Sequence, residues 1–222
     1  MIPIVVLASG RGSNFDAIQN AIENRSLSAR ILAVISDRPE APVLEKAMKK
    51  GIEAVALPFT QSSTPAGSSI EARRQEHEDR LVKELEKIQP RFIVLAGYKR
   101  IVTSHLIEAF RSDRGYSRIV NIHPSLLPAF SGLNSYAQAF QYGVKVTGVT
   151  VHLVEQQVDS GPICAQEAFS IADCSNEEEV EERGLLVEHR LYPSALSWIL
   201  PEKFDLERHS VKAEGRLCVR QN

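Results

Sequence analysis

Cysteine is scarce in this chain: three of 222 residues, Cys164, Cys174 and Cys218, with no C-x-x-C pair. That excludes a disulfide-stapled scaffold and a cysteine-held zinc site, and it predicts a reduced, cytoplasmic protein. Long apolar runs are lacking too. The longest, such as residues 4–8 and 92–96, fall far short of the roughly 20 residues that cross a bilayer. No basic segment precedes the first apolar run, so no secretory leader is expected. Neither sign of charge dominates, with 26 Lys and Arg against 28 Asp and Glu and a net charge of −2. Bulk attraction to nucleic acid or to an anionic membrane is therefore not expected. The expected partners are small-molecule substrates, met by a monomer or homodimer.

What the chain does have is apolar surface. Hydrophobic residues make up 43% and charged residues 24%, enough for a sizeable core in a single domain over 1–222. There is no internal repeat. Short β-branched runs at 4–7, 31–35, 53–57 and 92–96 alternate with amphipathic stretches at 14–22, 42–50 and 70–88. This alternation predicts an α/β fold, a Rossmann-like and mostly parallel sheet flanked by helices. The later pattern differs. After a strand at 118–123, residues 146–154 alternate, with Val149, Val151 and Leu153 on one face and Thr150 and His152 on the other. A turn at 159–162 and a strand at 163–169 follow, which predicts antiparallel strands at the C-terminal end of the sheet. A last helix is expected to start at Ser175 as its cap, burying Val180, Gly184, Val187, Leu191, Ala195 and Trp198. An edge strand is expected near 216–219. Residues 60–69, rich in Ser, Thr, Gly and Pro, read as a loop or lid.

Two stretches carry chemistry. Gly10-Arg11-Gly12-Ser13-Asn14 lies where the first strand hands over to the first helix, a place where free N–H groups attract an anion. It lacks the Gly-Lys-Ser/Thr of an ATPase loop, and Phe15 stands where a dinucleotide fingerprint needs a third glycine. A plain tight turn capped by Ser13 or Asn14 explains it equally well. In the second stretch, Asn121 and His123 are two apart in an extended segment and share a face, with Pro124 keeping His123 extended. At the end of a parallel strand an amide and an imidazole suit a developing oxyanion. A backbone-bonded structural histidine is the competing reading. Asp159, in Val158-Asp159-Ser160-Gly161-Pro162, is either a third member or an ordinary turn residue. The six histidines form no chelating i, i+4 pair, so no metal is expected.

Taken together, Gly-Arg-Gly-Ser-Asn, Asn121-Ile122-His123-Pro124-Ser125-Leu126-Leu127-Pro128 and Val-Asp-Ser-Gly-Pro resemble the folate-dependent formyltransferases. The likeness extends to residues 94–101 and 188–193 and covers about 4–198. It implies formyl transfer from 10-formyltetrahydrofolate, a co-substrate, to the amine of 5′-phosphoribosylglycinamide, in purine biosynthesis and without a metal. It also implies a phosphate-binding half over about 1–100 and a catalytic and folate half over about 101–200. By this resemblance Asn121, His123 and Asp159 are the catalytic trio. Gly12, Ser13 and Asn14 hold the ribose phosphate, and Glu188 takes the ribose hydroxyls, although the residue alone reads as a solvated acid on an acidic helix. Arg74, Lys99, Arg100, Ile101, Val102 and Asn121 line the folate pocket, and a cis bond at Leu127-Pro128 is implied. Asn134, Tyr136 and Lys99 depart from the family's usual residues. A sugar nucleotide as acceptor, hydrolysis of the folate, and a non-catalytic nucleotide-binding domain on the same fold are the alternatives, whereas a tRNA acceptor is disfavoured by the net charge of −2.

Overall fold

The computed structural model describes residues 1–59, 69–207 and 210–213. Its elements run β1 (Ile2–Leu7), α1 (Ser13–Glu23), β2 (Ala29–Ser36), α2 (Pro42–Lys49), β3 (Glu53–Ala56), α3 (Ile70–Ile88), β4 (Phe92–Leu95) and α4 (Ser104–Ala109). They continue as β5 (Ile119–His123), α5 (Ser135–Tyr142), β6 (Val146–Leu153), β7 (Ile163–Ser170), α6 (Glu177–Ile199), β8 (Phe204–Glu207) and β9 (Ser210–Ala213). Among the described residues no helix is long and apolar enough to cross a membrane.

The strands form one sheet in the order β3-β2-β1-β4-β5-β6-β7-β9-β8. β1, β2, β3, β4 and β5 pair in parallel, and β6 and β7 pair antiparallel with their predecessors. β1 lies between β2 and β4, so the winding reverses there. The loops leaving β1 and β4 open outward at that crevice, where sheets of this kind take ligands. They touch: Ser9 N donates to Gly97 O at 3.2 Å.

Each face of the sheet carries its own core. Ile4, Val6, Val34, Phe92, Val94, Val120 and Ile122 pack with α1, α2 and α6, whereas Val5, Leu7, Ile93, Leu95 and Ile119 pack with α3 and α4. Period-2 alternation then sets the facing of every side chain on β5. Ile119, Asn121 and His123 share the α3/α4 face, so the two polar residues project past the end of that core.

Several expectations need correction. Asn176 caps α6, its side chain accepting from Glu179 N, while Ser175 N donates to Glu179 Oε2. Gly12, not Ser13 or Asn14, is the N-cap of α1, with φ of 76° and no side-chain cap bond. A Cβ at Gly12 would sit 2.6 Å from Val43 at the start of α2, so the turn needs glycine for space as well as for its left-handed backbone. Strand β6 is buried on both faces from Thr147 onward, because its Thr150 and His152 lie under protein rather than in water. Helices α4 and α5 and strands β8 and β9 carry no clear periodicity in the sequence. The lid expected at 60–69 and the strand expected at 216–219 fall on residues outside those described, except for Ser69, which caps α3.

Candidate active site

A cavity of about 550 Å³ opens at the C-terminal ends of β4 and β5. Arg74, Lys99, Arg100, Ile101, Val102, Asn121, His123 and Asp159 all line it. The rest of its wall is largely apolar, with Leu81, Leu95, Leu106 and Val154 among the contributors. That composition suits a partly apolar ligand held by a few polar groups.

At its inner end Asp159 Oδ2 lies 3.4 Å from His123 Nδ1, the histidine buried and the aspartate largely covered. Loop backbone holds each of them. Gly132 N donates to Asp159 Oδ2 at 2.7 Å, and His123 Nε2 lies 3.0 Å from Phe130 O. A carbonyl only accepts, so Nε2 carries a proton. Ser135 Oγ, on the first residue of α5, is 3.1 Å from the same nitrogen. Asp159 thus faces one ring nitrogen and the Phe130 carbonyl and Ser135 hydroxyl face the other. Asp159 itself has φ of 53°, a turn conformation that aspartate tolerates better than most residues.

Asn121 is oriented by His152, its partner across the antiparallel β5–β6 register. His152 Nδ1 lies 2.8 Å from Leu153 O and therefore donates to it. That leaves Nε2 as an acceptor, 3.1 Å from Asn121 Nδ2. Burial pushes the His152 imidazole below its ordinary value and so favours this neutral form, with its Leu153 bond and the nearby Asp159 acting against it. One amide hydrogen of Asn121 is occupied in this way and the other is available. His152 escaped the sequence reading because strand register, the one fact that places it opposite Asn121, is not written in either strand.

A second cluster forms where α1 meets α6. Asn14 Nδ2 donates to Glu188 Oε2 at 2.6 Å, and Tyr136 Oη donates to Glu188 Oε1 at 2.7 Å. Glu188 is only 6% exposed, which overturns its reading as a solvated acid. Burial raises its carboxyl pKa, and the hydrogen bonds from Tyr136 and Asn14 work against that rise. Asn14 and Glu188 do not line the cavity, whereas Ser13 lines a separate groove between α1 and α6. The two clusters are joined through α5, since Ser135 meets His123 and the next residue, Tyr136, meets Glu188.

A further link was not legible in the sequence. Arg100 Nε donates to Asp37 Oδ2 at 2.6 Å, and Ser9 Oγ donates to Asp37 Oδ1 at 2.5 Å. Arg100 also lies 4.3 Å over the ring of Phe59. Its guanidinium is thereby committed to the scaffold. Arg100 thus lines the cavity with its side chain already engaged, beside Lys99, Ile101 and Val102.

A doubly wound sheet with an amide, an imidazole and a carboxylate at the end of one strand has the make-up of an α/β enzyme acting on a carbonyl group. The comparisons narrow that class: the formyl transferase family model matches residues 2–196, and the chain belongs to this family. A phosphoribosylglycinamide formyltransferase of Bacillus subtilis is 38% identical over 90% of this chain and 95% of its own. The crystal structure of glycinamide ribonucleotide transformylase 1 from Symbiobacterium toebii is 36% identical, with a TM-score of 0.86 over 96% of this chain and 94% of that one. The trifunctional purine biosynthetic protein adenosine-3 of Bos taurus is 33% identical over 97% of this chain, which spans 19% of that longer protein.

Proposed function

We propose that the protein moves the formyl group of 10-formyltetrahydrofolate onto the amine of 5′-phosphoribosylglycinamide, in the cytoplasm, as a step of purine synthesis. The observation that carries this reading is the meeting of His123 and Asp159, 36 positions apart, at 3.4 Å beside the oriented amide of Asn121. The ribose 5-phosphate rests on the uncapped start of α1 at Gly12, Ser13 and Asn14, where N–H groups and the helix dipole favour an anion. Glu188 accepts the ribose hydroxyls. The folate lies in the cavity beside Arg74, Lys99, Arg100, Ile101 and Val102, with its formyl group toward Asn121.

The free amide hydrogen of Asn121 and the charge on His123 stabilise the negative charge that develops on the formyl oxygen. Asp159 balances the imidazolium and receives the proton released by the attacking amine, directly or through a water. As the new C–N bond forms, the bond from the formyl carbon to the folate nitrogen breaks, and that nitrogen ends with the proton the amine has lost. No covalent enzyme intermediate is required.

The test measures tetrahydrofolate release by purified protein with and without the ribonucleotide acceptor. Release that depends on the acceptor is the expected result. Release of equal rate without it would mean hydrolysis, and no release would mean a binding domain; either overturns the proposal.

A further inference from the structure

Helix α5 begins without a side-chain cap, on Asn134 with φ of 58°, and its first two residues join different polar clusters. Ser135 meets His123, and Tyr136 meets Glu188. Tyr136 is buried, and its ring stacks edge-on against Phe169 with centroids 6.2 Å apart. Its hydroxyl donates to Glu188 Oε1 at 2.7 Å. Space for the ring is provided by Gly184, one helical turn before Glu188. A Cβ there would lie 2.2 Å from Tyr136 Cζ and Oη. The tyrosine, the glycine and the glutamate therefore form one fitted unit.

Glu188 needs such a unit. Placing a carboxylate in a buried site disfavours its ionised form, and only directed donors offset that cost. Asn14 supplies one donor and Tyr136 the other, one to each carboxylate oxygen. Each oxygen keeps a second lone pair for a ligand hydroxyl, so a pair of neighbouring hydroxyls can be accepted without displacing either donor. The Asn14 Oδ1 atom is buried with no hydrogen-bond partner among the described residues, one further acceptor beside the same carboxylate.

From this geometry we infer that Tyr136 is a positioning residue for the sugar of the ribonucleotide. It aims Glu188 at two neighbouring hydroxyls, and through α5 it keeps that carboxylate in register with His123. The inference rests on the proposed reading of Glu188 as the ribose-binding acid.

Steady-state kinetics of Tyr136→Phe, Glu188→Gln and the double variant test it. Tyr136→Phe removes one oxygen and keeps the ring on Gly184. The expected result is a KM for the ribonucleotide raised about tenfold, with kcat and the KM for the folate each within about twofold of the parent, the size expected for losing a hydrogen bond to a charged group. In the Glu188→Gln background the same change is expected to add less than about twofold, since the tyrosine acts through the carboxylate. If Glu188→Gln raises that KM while Tyr136→Phe leaves it unchanged, or lowers kcat alone, the positioning role is overturned and the reading of Glu188 stands. If Glu188→Gln leaves the KM unchanged, the reading of Glu188 falls and the inference falls with it.

Discussion

Asp37 and Arg100 face one another at 2.6 Å, the carboxylate fully buried and the guanidinium one-third exposed. The same carboxylate takes the hydroxyl of Ser9, and that hydroxyl oxygen accepts from Lys99 N at 2.9 Å. One acid thus braces the loop after β1 and the loop after β4 from between them. In the proposed function the first loop carries the phosphate and the second the folate. Replacing Asp37 with Asn keeps an acceptor for Ser9 and removes the charge that Arg100 faces. Losing one partner of a buried pair costs several kcal/mol, reduced here by the exposure of Arg100 to about 1–3 kcal/mol. The expected outcome is a lower urea midpoint and a KM for the folate raised about threefold to tenfold, with kcat largely kept. An unchanged folate KM would show that the brace does not set the pocket.

Removing the chemistry has a different signature. His123→Ala and Asp159→Asn are expected to fold, since Phe130 O and Gly132 N lie in a loop near solvent and can turn to water. Each is expected to lower kcat by about 10²–10⁴, the range of general acid–base and electrostatic contributions. Circular dichroism together with turnover in the presence of both substrates checks this. Near-parental kcat in a folded variant would remove that residue from the trio.

His152 predicts a smaller and more selective loss. Its Nε2 acceptor fixes Asn121 without reaching the substrate in the proposed arrangement. His152→Leu is expected to lower kcat about tenfold with both KM values little changed, because a freely rotating amide presents its hydrogen only part of the time. A change confined to KM would speak against this orienting role.

The fold was largely legible because its signals are local. Helix α3 runs over 70–88 as its apolar spacing indicates, and the runs around Val6, Val34 and Val94 are strands buried on both faces. The parallel-to-antiparallel change could be read at β6 because alternation replaces a continuous run. Helix α5 was not legible: it is eight residues long, starts on a left-handed Asn134 with no cap bond, and buries Tyr136 and Ala139 but little else that is apolar. Of the candidate site, the shared face of Asn121 and His123 comes directly from period 2. Their neighbours do not. Glu188 follows an acidic first half of its helix, and nothing near it reveals that Tyr136 and Asn14 will cover it from other helices. Asp37 has the look of a turn residue until Arg100, 63 positions later, closes on it.

Acid should weaken the fold through histidines that are buried neutral. Burial, with some repulsion from Arg80 and Arg100, pushes His77 down to about 4, and it lies 2.9 Å from Tyr98 Oη. Burial pushes His152 down as well. The unfolded chain protonates both near pH 6.5 while the folded chain does not, so the unfolded state binds more protons below that point. Stability is full above about pH 6.5 and falls as the pH drops toward 4, by about 2–3 kcal/mol for His77. Glu188 acts in the opposite sense, since its raised pKa means that the cost of burying its charge is relieved as it takes up a proton. His77→Gln keeps an acceptor for Tyr98 and cannot titrate. Urea midpoints at pH 7.5 and 5 are expected to lie closer together in this variant than in the parent, and an equal separation would assign the acid sensitivity elsewhere.

Gly184 offers a steric check on the same region that needs no assay of activity. A methyl group there points at Tyr136 from 2.2 Å, and the ring cannot retreat freely, because Phe169 lies against it and its hydroxyl is held by Glu188. Overpacking of this kind costs about 1–3 kcal/mol, against about 0.5–1 kcal/mol gained by replacing glycine with alanine inside a helix. Gly184→Ala is therefore expected to lower the urea midpoint. Combining it with Tyr136→Leu, whose side chain ends short of the clash, is expected to cost less than the sum of the two single changes, a coupling that distant sites do not show. Additive losses would mean that the helix shifts to admit the methyl group and that tyrosine and glycine are not fitted to one another.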